Sequence, residues 1–261
     1  MVEELFAELQ NLKQVEAIAL GGSRSQQNYD ENSDYDVYVY IKSPISENVR
    51  REILGKYCSY MEIGNHYWEY EDNCVLKNGK DIDIIYRNLD DFCECVSEVV
   101  EKYQAQNGYT TCLWHNLINS VIIYDDDKRL EQAQKRFSVP YPEHLKYNII
   151  KRNYNLLCDS MASYKNQIEK AHKRDDKVSL IHRTTAFLES YFDIIFALNS
   201  LTHPGEKRLI KLCTQQCKIL PADFEANLNK LFEDLPQNMD SLMEDVEVIL
   251  KALSDILDNQ E

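Results

Sequence analysis

The hydrophobic period of this chain changes once, at Pro140-Tyr141-Pro142, and that change restricts its architecture more than any other feature. Before the prolines, short apolar runs are separated by turn residues. VEAIALGG (15–22) is an apolar run closed by two glycines, as a buried strand would be. DYDVYVYI (34–41) alternates strictly, with Asp34, Asp36, Tyr38 and Tyr40 on one face and Tyr35, Val37, Val39 and Ile41 on the other. CVLKNGKDIDIIY (74–86) sets Asn78-Gly79 between β-prone runs, a strong hairpin signal. Its return strand puts Asp81, Asp83 and Ile85 on one face and Ile82, Ile84 and Tyr86 on the other. SVIIYD (120–125) reads as a last strand. Helical spacing is predicted over 2–14, from Ser46 as N-cap through Leu54, over 89–101, and briefly before the prolines.

After Pro142 the alternation stops. Helices are predicted over 143–173, 176–199, about 205–217, 221–234 and 238–258, punctuated by Pro204, Gly205 and Pro221. Within 176–199, Val178, Ile181, Thr185, Leu188, Phe192 and Ile195 form one apolar stripe. Strands grouped first and helices second predict an α+β chain: a mixed, twisted sheet domain at 1–139 and an all-helical bundle at 140–261.

Composition narrows the function classes. The net charge of −15, from 44 acidic and 29 basic residues, repels a phosphate backbone and argues against a long nucleic acid as the main ligand. No apolar run approaches the roughly 20 residues that span a bilayer, and MVEELFAELQ lacks a basic signal-peptide start. A soluble, cytoplasmic protein is expected. The eight cysteines show no zinc-finger spacing and read as reduced, mostly buried thiols. His115, His182 and His203 have no metal-site spacing.

The chemistry-bearing segment is Gly21-Gly22-Ser23-Arg24 followed by Asp34-Tyr35-Asp36, with ten residues between Ser23 and Asp34. Glycines at a strand-to-helix turn let the backbone approach a phosphate, and the next N–H groups with the Ser23 hydroxyl can donate to it. Asp34 and Asp36, at i and i+2, project from one strand face. Mg²⁺ takes octahedral oxygen ligands, commonly one or two carboxylates with phosphate oxygens and water. A third carboxylate from 81–83 would complete a two-metal site for phosphoryl transfer. Alone, Asp-x-Asp is ordinary strand surface and Gly-Gly-Ser an ordinary turn; their combination and spacing carry the reading.

Gly-Ser, a short helix and Asp-x-Asp on the next strand resemble the signature of the nucleotidyltransferase superfamily, which includes DNA polymerase beta and the kanamycin and lincosamide nucleotidyltransferases. The likeness spans roughly residues 15–90. The helical second half is similar to small bacterial antibiotic-modifying members. NHYWEYED, DIDIIYR and HPGEKRL look like a group of bacterial nucleotidyltransferase-domain proteins with no assigned substrate. The resemblance implies that 1–139 is a nucleotidyltransferase domain. It implies triphosphate binding by Gly22 and Ser23, and metal binding by Asp34, Asp36 and a third acid. Asp83 is preferred over Asp81 there, because the family's acid usually sits inside an apolar strand.

The helical half carries weaker signals. Lys207 is a phosphate-contact candidate there, more readily read as a solvated helix residue, and Arg24 of the first half is another, equally readable as a surface cation. Glu189, among Phe187, Leu188, Tyr191 and Phe192, is a candidate general base or a hydrogen-bonded partner for a tyrosine. Glu206 and Asp175 are the next candidates. The expected activity is Mg²⁺-dependent transfer of NMP, from ATP by preference, to a hydroxyl of a small-molecule acceptor of antibiotic type, with two Mg²⁺ ions and release of pyrophosphate. A tRNA- or protein-modifying enzyme of toxin–antitoxin type and a non-catalytic nucleotide sensor are the alternatives. The sequence leaves the oligomeric state open.

Overall fold

The computed structural model describes residues 1–25, 34–235 and 239–259. The chain divides into two compact units, residues 1–98 with 113–139, and residues 99–112 with 140–261. Among the described residues, no helix is long and apolar enough to cross a membrane.

The first unit runs α1 (Val2–Gln10), β1 (Val15–Leu20), α2 (Gly22–Ser25), β2 (Tyr35–Ile41), α3 (Glu47–Leu54), β3 (Cys58–Asn65), β4 (Glu71–Leu76) and β5 (Asp81–Arg87). It continues through α4 (Leu89–Val100), α5 (Cys112–Asn119), β6 (Val121–Asp125) and α6 (Arg129–Phe137), with α4 and α5 reaching into residues that group with the second unit. The strands form one sheet in the order β3-β4-β5-β2-β1-β6. Among the described residues only β2 and β5 run parallel; the other pairs are antiparallel. The sheet is mixed, as the sequence predicts.

Alternation explains how the sheet is layered. Val37, Val39, Ile82 and Ile84 are fully buried and pack with Leu5 and Leu9 of α1 and with Ile53 and Leu54 of α3. Each such side chain contributes about 1.5–3 kcal/mol on burial. The same face holds a charge pair that the apolar pattern conceals. Arg50 and Asp72, both without solvent exposure, form an ion pair. The Tyr86 hydroxyl donates to Asp72 Oδ2 at 3.0 Å, and Gly64 N–H donates to Oδ1 at 2.8 Å. The guanidinium lies over the rings of Tyr70 and Tyr86. These partners offset the several kcal/mol that burying each charge costs.

The opposite face is also partly covered. Tyr40 is buried against Phe92 of α4, and Tyr38 accepts a hydrogen bond from Asn116 Nδ2 at 2.6 Å. The β4–β5 hairpin closes with Gly79 N–H on the Leu76 carbonyl; Gly79 alone of its turn residues takes a positive φ, +81°. That is the geometry of a three-residue loop ending in a left-handed residue, rather than a turn with positive φ at both Asn78 and Gly79. Ser46 precedes α3 as predicted but makes no side-chain cap bond.

The second unit holds α7 (Glu143–Tyr154), a π turn (Asn155–Asp159), α8 (Tyr164–Lys173), α9 (Lys177–Leu198), α10 (Leu209–Gln216), α11 (Phe224–Asp234) and α12 (Met239–Asp258). Three expectations are corrected here. The predicted helix over 143–173 is two helices, because the π turn ends at Ser160 in extended backbone and Ser163 caps α8 by accepting from Asn166 N–H. The predicted helix from 205 starts at Leu209, because Arg208 has φ +61°. The stripe along α9 is displaced: Val178 and Ile181 are exposed, and the buried line is Leu180, Thr184, Phe187 and Tyr191. Thr184 stands in that line because its hydroxyl is satisfied on the Leu180 carbonyl at 2.9 Å. From Ser190 to Leu198 every residue is buried, so α9 is the central helix of its unit. Asp176 caps it, accepting from Ser179 N–H at 3.0 Å.

A buried polar knot ties residues 108–111 to this bundle. Asp193 Oδ1 accepts from Thr110 N–H at 3.0 Å, and Oδ2 from the Thr110 hydroxyl at 2.6 Å and Asn153 Nδ2 at 3.1 Å. Asn153 Oδ1 accepts from Gly108 N–H, and Thr111 Oγ1 accepts from His203 N–H. Burial pushes the Asp193 carboxyl up to about 6, with these hydrogen bonds opposing.

Candidate active site

In the parallel β2–β5 pair, Asp36 stands directly opposite Asp83. Paired residues of adjacent strands share a face about 4.8 Å apart, so the two carboxylates are neighbours, both half-buried. Asp34 lies just before β2 and is exposed, and Asp81 is exposed at the start of β5. Asp83 is the acid paired with the second residue of the Asp-x-Asp motif.

Next to them, Asn73 on β4 pairs with Asp83 and donates from Nδ2 to its Oδ1 at 2.8 Å. Asn73 Oδ1 accepts in turn from Asn65 Nδ2 at 2.6 Å, which fixes the amide's orientation. Glu71, two residues back on the same face, is nearly buried. Burial pushes its carboxyl up, the bond with Asn73 opposes this, and Asp83 and Glu69 add to the push. Sequence reading missed Asn73 and Glu71. Counting back across Asn78-Gly79 from Asp83 would have found Asn73, because the hairpin register fixes its partner.

The glycines set the other wall. Gly21 N–H donates to the Asp36 carbonyl at 2.8 Å, carrying the β1–α2 turn against β2. A Cβ on Gly21 would lie 2.2 Å from the Tyr38 ring, and one on Gly22 would lie 1.7 Å from Asp36 Oδ2. Gly22 also has φ +57°. Both positions therefore exclude a side chain, and the Gly22 backbone touches the carboxylate that the motif singles out. Arg24 donates from Nε to the Asp34 carbonyl at 2.9 Å and lies over the Tyr35 ring at 3.8 Å. That contact ties α2 to the start of β2. The side chain of Ser23, like Gln26, Gln27 and Ser33, lies outside the described residues.

Residues 2–105 match the nucleotidyltransferase domain family. That stretch holds β1 to β5 and the Asp36–Asp83 pair. Residues 109–209 match a second family, described as a domain of unknown function (DUF4037). No curated protein matches the chain by sequence. Among solved structures, the chain resembles a nucleotidyltransferase-like protein from Exiguobacterium sibiricum at 11% identity and a TM-score of 0.46, covering 100% of this chain and 76% of that one. It also resembles an aminoglycoside 6-adenyltransferase from Bacillus subtilis, at 11% identity and TM-score 0.30 over 98% and 90% of the two chains. A third is the CCA-adding enzyme of Thermotoga maritima complexed with tRNA, at 10% identity and TM-score 0.31 over 98% and 80%.

At the Asp36–Asp83 pair the donor set is made of carboxylate oxygens, the hard ligands that Mg²⁺ takes. Among the described residues, no three His, Cys, Asp or Glu side chains converge as a complete metal cage. Two neighbouring carboxylates beside a backbone free of side chains fit the commoner Mg²⁺ arrangement, in which phosphate oxygens and water fill the remaining positions.

The remaining predicted residues belong to the helical unit. Glu189, on α9, is half-buried and lines a cavity of about 730 Å³ walled by α9, α10 and α11. Burial pushes its carboxyl up, and the nearby Glu206 carboxylate adds to it. Lys207 is exposed in the turn before α10, between Glu206 and Arg208 of the cavity wall. Asp175 is exposed in a tight turn with φ +52°. His203 is fully buried, with Cys112 Sγ 3.4 Å from its Nδ1.

Proposed function

We propose that this protein transfers AMP from ATP to a hydroxyl of a small-molecule acceptor, of the antibiotic type, and releases pyrophosphate. The observation that carries the reading is the pairing of Asp36 with Asp83 beneath the Gly21-Gly22 turn, inside a sequence that matches the nucleotidyltransferase domain. Asp34, Asp36 and Asp83 would hold two Mg²⁺ ions, with Asn73 keeping Asp83 oriented. When bound, Mg²⁺ supplies positive charge to the triphosphate at the point where negative charge develops. Gly22, the Ser23 hydroxyl, Arg24 and Lys207 are the proposed contacts of the triphosphate.

The acceptor oxygen attacks the α-phosphorus in line, forming a new P–O bond. The bond from the α-phosphorus to the bridging oxygen breaks, and pyrophosphate leaves. The hydroxyl proton passes to a base, for which Glu189 is proposed: its half-burial and its neighbour Glu206 raise its basicity.

The test is a screen of α-labelled NTPs with the full chain and Mg²⁺ against aminoglycosides, lincosamides, total tRNA and cell lysate. Label on a small molecule, with pyrophosphate released, supports the reading. Label on tRNA or protein moves the acceptor to a macromolecule. Mg²⁺-dependent ATP binding without transfer to any acceptor class would favour a nucleotide sensor.

A further inference from the structure

The cavity of the helical unit that Glu189 lines is built for more than a proton acceptor. Its volume of about 730 Å³ is that of a small-molecule site. Leu188 and Phe192 of α9, Leu209 and Ile210 of α10 and Phe232 of α11 give it an apolar lining. Glu189 and Glu206 stand on the same wall, and the Glu206 charge is felt at Glu189.

Tyr109 completes this end of the cavity, and it is held there against its own preference. Gly108 and Tyr109 both take positive φ, +81° and +54°. The second is a costly conformation for an aromatic residue, and it persists only where surroundings enforce it. Here the enforcement is visible. Asp193 and Asn153 grip the backbone on both sides, and a Cβ on Gly108 would lie 2.8 Å from that of Glu189 and 3.1 Å from its carbonyl carbon. The ring packs edge-on to His203 at 4.9 Å. The phenol is pushed up to about 12 by burial and by the two carboxylates, so it stays a neutral ring beside two negative charges.

We propose that this cavity binds a small organic cation, a protonated amine on an apolar body, with the ammonium at Glu189, Glu206 and Tyr109 and the body against the leucine and phenylalanine side chains. An aromatic face and carboxylates together recognise an organic ammonium, which a neutral or anionic ligand of equal shape would not satisfy. Arg208 and Lys211 also line the cavity, yet burial and Glu206 are what act on Glu189. The inference rests on the small-molecule reading of the acceptor and names its class.

The test uses the full chain without nucleotide or metal. Titrations of 4-phenylbutylamine, 4-phenylbutanol and 4-phenylbutyrate are followed by calorimetry, and ATP with Mg²⁺ is titrated on the same preparation. The amine is expected to bind at least about tenfold more tightly than the alcohol, and the carboxylate not at all. Glu206→Gln, an exposed change that leaves the fold intact, is expected to erase most of the difference between amine and alcohol. Phe232→Ala is expected to weaken both. Equal affinity for amine and alcohol, no saturable binding of the amine, or a preference that Glu206→Gln leaves untouched would overturn the proposal. Amine binding without Mg²⁺·ATP binding would instead overturn the transfer reading and leave this one standing.

Discussion

At position 22 the chain has no room for a side chain, and the atom in the way is Oδ2 of Asp36. Gly22→Ala therefore does two separable things. It strains a left-handed backbone by about 1–3 kcal/mol, and it displaces the carboxylate. A variant that still unfolds cooperatively in urea but has lost Mg²⁺·ATP binding is the expected result; unaltered binding would mean the turn is only a turn. The same scale separates the two aspartates of β5. Asp83→Asn is expected to abolish turnover and Asp81→Asn to lower it only slightly, because Asp83 pairs with Asp36 while Asp81 is exposed at the strand's start. The reverse ranking would move the site by two residues along one face. Asn73→Ala removes the amide that orients Asp83, and a loss of about 10–100-fold in Mg²⁺ affinity is expected by titration.

Among the elements, the buried pair between α3 and β4 and the buried acid of α9 make opposite predictions. Asp72→Ala strands the Arg50 guanidinium without solvent, so urea unfolding should report a loss of about 3–5 kcal/mol. Asp193 has its folded pKa raised to about 6, above the ordinary carboxylate value. The folded state therefore binds this proton more tightly than the unfolded chain does. Ionisation costs stability above pH 6, and the cost disappears as pH falls towards 4. Against an Asp193→Asn variant, the native protein should gain relative stability from pH 7 to pH 4.5, by on the order of 2 kcal/mol in urea melts. A constant difference across that range would mean that Asp193 titrates normally.

The elements also show where the sequence was legible. β2 and β5 were, because one face is apolar without interruption, and α9 and α12 were, because they are long. β3 was not: it is an edge strand whose register shifts between Cys58 and Tyr60 and again between Glu62 and Asn65, so alternation never runs long enough to read. α5 was missed because only Trp114 and Leu117 of its eight residues are buried hydrophobics. The stripe on α9 was misplaced because Thr184 is a polar residue on a buried line.

For the whole molecule, the segment 99–112 matters most. It precedes β6 in the chain yet groups with the helices, through bonds such as that of Thr110 to Asp193. A fragment of residues 1–139 therefore loses the partners of Gly108, Thr110 and Thr111, and it is expected to give no transfer and to be more protease-sensitive at 99–112 than the full chain. Full transfer activity in that fragment would exclude Glu189 as the base. Asp34, Asp36 and Asp83 were readable because each lies in a short motif, whereas Tyr109, Asp193 and Glu206 come together from distant parts of the sequence.

Pyrophosphate release by the full chain, supplied with ATP, Mg²⁺ and the acceptor that takes up label, decides whether Asp36 and Asp83 work as a pair. Release by the native protein that stops with EDTA, and falls to background in both Asp36→Asn and Asp83→Asn while each variant unfolds as the native chain does, is the expected result. Release that persists in either well-folded variant, or that is indifferent to EDTA, would contradict it.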